Sequence, residues 1–205
     1  MKGSFLFTVF FLFAVSTVQA QDNPSRFELH SDEVLRGNFV QKRNIKGFGR
    51  PLKSEGNFVI SPRKGLIWNV KTPFPITTII TPSGFVQNSN GIKTMSLSAQ
   101  KMPFISRIYD MVSGVLTGKW KTLQETFAIQ GNLKTMPWQI VLTPLKTKDP
   151  FLPFREINVS GAQFVGEVIM VKPDGDTDVL SFSDVSSVQS PLSLEELDFF
   201  ALGDQ

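Results

Sequence analysis

The chain has 205 residues, 21 basic and 18 acidic side chains, no cysteine and one histidine, His30. No block of five or six like charges marks a nucleic-acid tail or a polybasic anchor, and no disulfide can staple the fold. A single imidazole with no thiol leaves little for zinc, copper or Ser-His-Asp chemistry.

Residues 1–20, MKGSFLFTVFFLFAVSTVQA, read as a secretory signal peptide. Lys2 supplies the charged start, an apolar run extends from Phe5 to Val18, and the small residues Val18 and Ala20 precede a cleavage before Gln21. The run is shorter than the roughly 20 residues of a spanning helix. Residues 21–205 then form a single exported domain, large enough to bury a substantial core. With no Cys to acylate at its new N-terminus, the product is not itself a lipoprotein.

Along the mature chain, residues 24–36 show Phe27, Val34 and Leu35 at helical spacing, with Gly37 as a stop, so a first helix is expected there. Phe39-Val40-Gln41 opens a strand. Lys42, Arg43, Lys46 and Arg50 make a modest basic segment beside it, either a solvated edge or a docking site.

Residues 55–91 are the most informative stretch. Phe58 and Ile60, then Leu66, Trp68 and Val70, alternate with their neighbours at the period of a pleated sheet with one buried face. Ser61-Pro62, Thr72-Pro73, Pro75, Pro82-Ser83-Gly84 and Ser89-Asn90-Gly91 punctuate the run as turns. The result is a curved antiparallel sheet that continues from Ile92 to Leu97 and whose buried face requires a cover.

Pro103 begins the clearest helix. Phe104, Ile105, Ile108, Met111, Val112, Val115 and Leu116 fall on one face, leaving Ser106, Arg107, Asp110 and Ser113 on the other, and Gly118 ends it. The period returns to two at Phe127 and Ile129 and at Trp138, Ile140 and Leu142. Further strands are expected over residues 154–159, 163–171 and 176–183, the last two joined by a Lys172-Pro173-Asp174-Gly175 turn. The tail from Ser190, with Leu194, Leu197, Phe199 and Phe200, reads equally as a short helix or an edge segment. The fold class is mainly β, with nine to eleven antiparallel strands and one helix inserted mid-chain.

Fourteen Phe against one Tyr, Tyr109, remain after residue 20. Phe brings apolar area with no hydroxyl to satisfy, which suits either an ordinary core or a cavity for acyl chains. Catalytic signatures are poor. Asp174, Asp176 and Asp178 have calcium-ligand spacing without the closing bidentate Glu. Glu195-Glu196 point two ways, and Gly47-Phe48-Gly49 lacks the rest of a phosphate loop. Neither an enzyme nor a metal or cofactor is expected.

The matching stretches are Phe39-Val40-Gln41, Gly56 with its strand into Ser61-Pro62, and Gly65-Leu66-Ile67-Trp68 leading to Pro73. The helix from Pro103, residues 123–127 and the strand from Trp138 to Pro144 match as well. In their order and spacing these stretches resemble the LolA-like periplasmic outer-membrane lipoprotein carriers over nearly all of the mature chain.

The resemblance implies an unclosed β-barrel of about eleven strands, with helices as a lid over a hydrophobic cavity. It also implies a monomeric periplasmic carrier that takes acylated lipoprotein or lipid cargo from an inner-membrane ABC exporter to an outer-membrane receptor. The cavity residues expected on this reading are Phe39, Phe58, Ile60, Leu66, Trp68, Val70, Phe127, Trp138, Ile140 and Leu142. Phe104, Ile108, Met111, Val112 and Val115 belong to the lid helix. A sensor of lipoproteins or lipids with the same fold is the alternative. The family often has Arg-Pro, with a gating Arg, where this chain has Ser61-Pro62, so that role is not carried over to Arg63 or Lys64.

Overall fold

The computed structural model describes residues 28–102, 104–146, 152, 154–189 and 191–204. The signal-peptide reading and Pro103 lie outside these residues.

Two antiparallel meanders make one sheet of eleven strands. The first contains β1 (Val34–Asn44), β2 (Leu52–Ser61), β3 (Gly65–Thr72), β4 (Ile76–Ile80), β5 (Gly84–Ser89) and β6 (Ile92–Ser98). The second contains β7 (Phe127–Asn132), β8 (Trp138–Pro144), β9 (Glu156–Gly161), β10 (Val165–Val171) and β11 (Thr177–Val188). The order β6-β5-β4-β3-β2-β1-β11-β10-β9-β8-β7 joins the meanders at a single seam, where the first strand pairs with the last. β6 and β7 remain as edges, so the barrel is unclosed. The helices α1 (Phe104–Thr117) and α2 (Trp120–Leu123) lie between those edges in the chain, and α3 (Leu194–Gly203) follows the sheet.

Turn chemistry sets the register. Asn90 and Gly91 both adopt positive φ, 51° and 81°, as a two-residue hairpin turn with the right-handed twist of its strands requires. At the β10–β11 turn Gly175 has φ 94°, and Lys172 N–H donates to Asp176 O at 2.9 Å.

The helix expected over residues 24–36 is corrected at its described end, because Val34, Leu35 and Arg36 are strand residues. Val34 packs on the outer face of the sheet and Leu35 on the inner face. Two adjacent apolar residues buried on opposite faces imitate a helical pair. Their partner strand is also longer than expected, running to Val188 instead of residue 183. Past residue 183 the β1–β11 ladder continues through a bulge that shifts the pairing from Asn38↔Ser183 to Arg36↔Ser186. The extra residue bends the strand and leaves the ladder locally open. Asp184 takes φ 52° there, and Asn38 Nδ2 donates to its carboxylate at 2.9 Å.

Two hydrophobic clusters follow the two faces. The inner one draws on both meanders and on α1 and α2, and includes Phe39, Phe58, Ile60, Ile140, Leu142 and Val159. The outer one is small: Val34, Val59, Ile67, Ile79 and Val86 are closed off by Phe200 of α3, with Leu192, Phe199 and Leu202 around it. The C-terminal tail is therefore a helix, and a capping box starts it. Ser193 Oγ accepts from Glu196 N at 3.1 Å while Glu196 Oε2 accepts from Ser193 N at 2.7 Å, satisfying two amides that the helix cannot.

Candidate functional site: an apolar cavity beneath α1

α1 lies over the inner face without sealing it. Met111, Val112, Val115 and Leu116 look onto a cavity of about 230 Å³. Its floor comes from both meanders: Leu66 and Trp68 of β3 and Ile80 of β4 on one side, Ile157, Val168, Met170, Leu180 and Phe182 of β9 to β11 on the other. Gln41 and Thr78 are the polar groups in the lining.

Aromatic packing stiffens one wall. Phe39 stacks on Trp68 with centroids 3.9 Å apart, and Phe58 lies 5.9 Å from Trp68 on a similar plane. Phe182 meets Phe58 and Trp68 edge-on at 5.6 and 6.3 Å. Each such pair adds about 0.5–1.5 kcal/mol beyond area burial, so Trp68 is held at the cavity surface by the rings behind it.

The residues singled out in the sequence divide into three groups. Leu66 and Trp68, with Met111, Val112 and Val115 of α1, come together around the cavity. Phe39, Phe58 and Ile60 are fully buried behind its wall, while Val70 packs half-buried against the same cluster. Phe127, Trp138, Ile140 and Leu142 fill the β7–β8 side of the core, where Trp138 meets Trp120 edge-on at 5.7 Å and donates Nε1–H to Ala162 O at 2.6 Å. Phe127 also borders a second, more polar hollow with Arg107, Asp110 and Glu125. Phe104 and Ile108 are partly buried on α1 and do not reach the apolar cavity beneath it.

Sequence reasoning missed Ile157, Val168, Met170, Leu180 and Phe182. The signal was present, since Val168 and Met170, like Leu180 and Phe182, stand at i and i+2 in their strands. It also placed Ser113 on the polar face of α1, whereas Ser113 is buried. Next to it α2 packs Leu123 so closely on α1 that a Cβ at Gly114 would meet it at 3.0 Å. Burial likewise pushes the Tyr109 hydroxyl pKa upward, only partly opposed by its hydrogen bond with Ser113.

A charged cluster borders the cavity at Gln41. Asp178 is buried, and its carboxylate accepts from Gln41 Nε2 at 3.2 Å and Arg43 Nε at 2.7 Å, with Lys172 Nζ at 3.3 Å. Burial alone would raise this carboxyl, but the hydrogen bonds and positive charge of Arg43 and Lys172 outweigh it and hold the pKa below the usual value. The three aspartates do not converge: Asp174 and Asp176 accept backbone amides of their own turn and of Lys46. Among the described residues no group of three or more His, Asp or Glu side chains is placed to hold a metal ion.

A family model described as outer membrane lipoprotein carrier protein LolA-like matches residues 27–175. A solved LolA superfamily protein from Nitrosomonas europaea is 9% identical with a TM-score of 0.44, covering 84% of this chain and 93% of that one. A putative outer membrane lipoprotein-sorting protein domain from Vibrio parahaemolyticus is 10% identical with a TM-score of 0.44, covering 88% and 95%. A chain of the Pseudomonas aeruginosa MucA/MucB complex is 10% identical with a TM-score of 0.45; 80% of this chain and 55% of that one are covered. No curated protein matches the sequence. The family model spans most of the chain, and the protein belongs to the LolA-like outer membrane lipoprotein carrier family.

Proposed function

We propose that the protein is a non-enzymatic periplasmic carrier that shelters the acyl chains of a lipoprotein, or of another acylated lipid, between the inner and outer membranes. The observation that carries this reading is the apolar cavity beneath α1, lined from both meanders and bordered by polar groups at Gln41. Family membership supports it. An inner-membrane ABC exporter as donor and an outer-membrane receptor as acceptor follow on the same reading.

The energetics favour such a device. Each CH₂ moved out of water is worth roughly 0.8 kcal/mol, so a multiply acylated molecule does not cross an aqueous gap alone. The present volume, about 230 Å³, lies below the roughly 300–1,000 Å³ of ordinary small-ligand pockets. Loading therefore requires α1 to move outward, with Val112 and Val115 as the surface that yields to cargo.

Native mass spectrometry of the gently purified protein, with uptake of an added apolar dye, tests the proposal. An acylated adduct or saturable dye uptake is expected, reduced at least about tenfold in Val112→Trp, whose ring occupies the cavity. Absence of both adduct and uptake in the unmodified protein overturns the carrier reading.

A further inference from the structure

One end of the sheet carries a surface that neither the core nor the cavity uses. Because β1 to β6 form an antiparallel meander, the connections at residues 45–51, 73–75 and 90–91 all emerge at that end. The register sets them side by side. Glu55 of β2 stands opposite Thr72 of β3, and Ser89 Oγ donates to Pro75 O at 2.9 Å.

Large apolar side chains stand in water on these tips. Phe74 is 75% exposed, Ile92 69% and Phe48 65%. The turns at the opposite end of the same strands, residues 62–64 and 81–83, expose none. Exposed Lys46, Arg50, Lys53, Lys71 and Lys93 surround the apolar tips. Glu55, paired with Lys53 at 2.8 Å, is the one acidic residue in residues 46–55, 69–75 and 88–93; the β10–β11 turn at the same end adds Asp174 and Asp176, whose carboxylates accept the backbone amides of Asp176 and Lys46.

Clustered exposed apolar groups on a folded domain mark an interaction site. The combination of apolar wedges with a cationic surround is specific in what it fits. An acyl-rich layer beneath a plane of phosphates meets both signals at once, and membrane attachment becomes firm when two such signals coincide. We propose that this end of the sheet docks on an anionic lipid bilayer. Phe48, Phe74 and Ile92 enter the headgroup layer, and the five cations meet lipid phosphates. Gln41, at the border of the cavity, lies on β1 just below the residue 45–51 tip, so docking turns that side of the cavity toward the membrane. The inference goes beyond the carrier reading, and neither entails the other.

Flotation with vesicles tests it, using the processed protein recovered from cells that export it. The protein is expected to float with vesicles of phosphatidylglycerol and phosphatidylethanolamine, to stay behind with phosphatidylcholine alone, and to be released by high salt. Phe48→Ser/Phe74→Ser and, separately, Lys46→Glu/Arg50→Glu should each weaken binding at least about tenfold, with circular dichroism unchanged because all four side chains are exposed. Failure to float with the anionic vesicles overturns the proposal, as does undiminished flotation of both double variants. Failure to float combined with salt-sensitive capture on polyglutamate overturns the lipid assignment in favour of an acidic protein face. Dye uptake measured on the same samples separates the two readings, since lost flotation with retained uptake refutes docking alone.

Discussion

The sheet from β2 to β5 is covered on both faces, and the two covers are built differently. On the outer face α3 is fixed at both ends. Its start has the capping box and the Arg36–Glu196 pair, two parallel bonds of 2.7 Å. Its end has Thr81 Oγ1 donating to Gly203 O at 3.0 Å, with Gly203 so near the sheet that a Cβ would meet Thr81 Cγ2 at 2.6 Å. On the inner face α1 is tied at its last residue, where Leu29 N–H donates to Thr117 O at 3.0 Å, but it has neither acidic residues in its first turn nor basic ones in its last, and part of its apolar stripe faces a void. The lesson is that a helix on a sheet is a seal or a lid according to its ends and to the fit beneath it, whatever its amphipathicity.

Three substitutions break or sharpen that contrast. The largest effect is expected at Phe200, 1% exposed in the outer cluster. Phe200→Ala should cost about 3–5 kcal/mol in urea unfolding, the usual range for an aromatic deleted from a packed core. A smaller loss there would mean that α3 is no seal. Val112→Ala should cost less than about 1 kcal/mol in the same measurement, because its methyls face empty space and give up few contacts. A Val112 loss as large as that at Phe200 would erase the distinction between the covers.

The smallest effect concerns acid. Arg36, through its hydrogen bonds, holds the Glu196 carboxyl below its ordinary pKa; burial opposes this, and the backbone bond from Ser193 adds to it. A carboxyl lowered in the folded state stabilises above its unfolded value of about 4, and that contribution is lost as the pH falls through the folded value. Melting temperature should therefore hold from neutral pH to about 5 and decline below about 4. Glu196→Gln should lower the neutral plateau slightly and flatten the decline, whereas an unchanged acid profile would remove Glu196 from the account.

Much of the fold is legible in the sequence wherever one face of a strand is wet. Trp138, Ile140 and Leu142 alternate with half-buried or exposed neighbours, and that pattern cannot be mistaken. It becomes illegible where both faces are dry, as at Val34 and Leu35, or where the chain is mostly polar, as at Ser186 and Ser187 of β11. Those Ser-rich residues are strand because β1 pairs with them. Ser193 and Glu196 already carried capping-box spacing, a signal sufficient to choose helix for the tail.

The cavity is half legible for a related reason. Periodicity marks Ile60 and Leu66 alike as buried. Whether such a residue meets a void or another side chain depends on how β9 to β11 curve round to oppose β3, which no local pattern encodes. Leu66 and Trp68 fall on the void and Ile60 in packed core, although all three obey the same alternation.

The β1–β11 seam has a consequence for the order of events in folding. Val34 pairs with Val188 and Asn44 with Thr177, so this ladder closes a loop longer than any other in the sheet. Hairpins within each meander close short loops and are entropically cheap, whereas the seam must await most of the chain. Leu180 and Phe182, which complete the cavity, sit on that last strand. A polypeptide emerging N-terminus first thus has no finished apolar chamber until Leu180 and Phe182 of β11 are out and paired with β1.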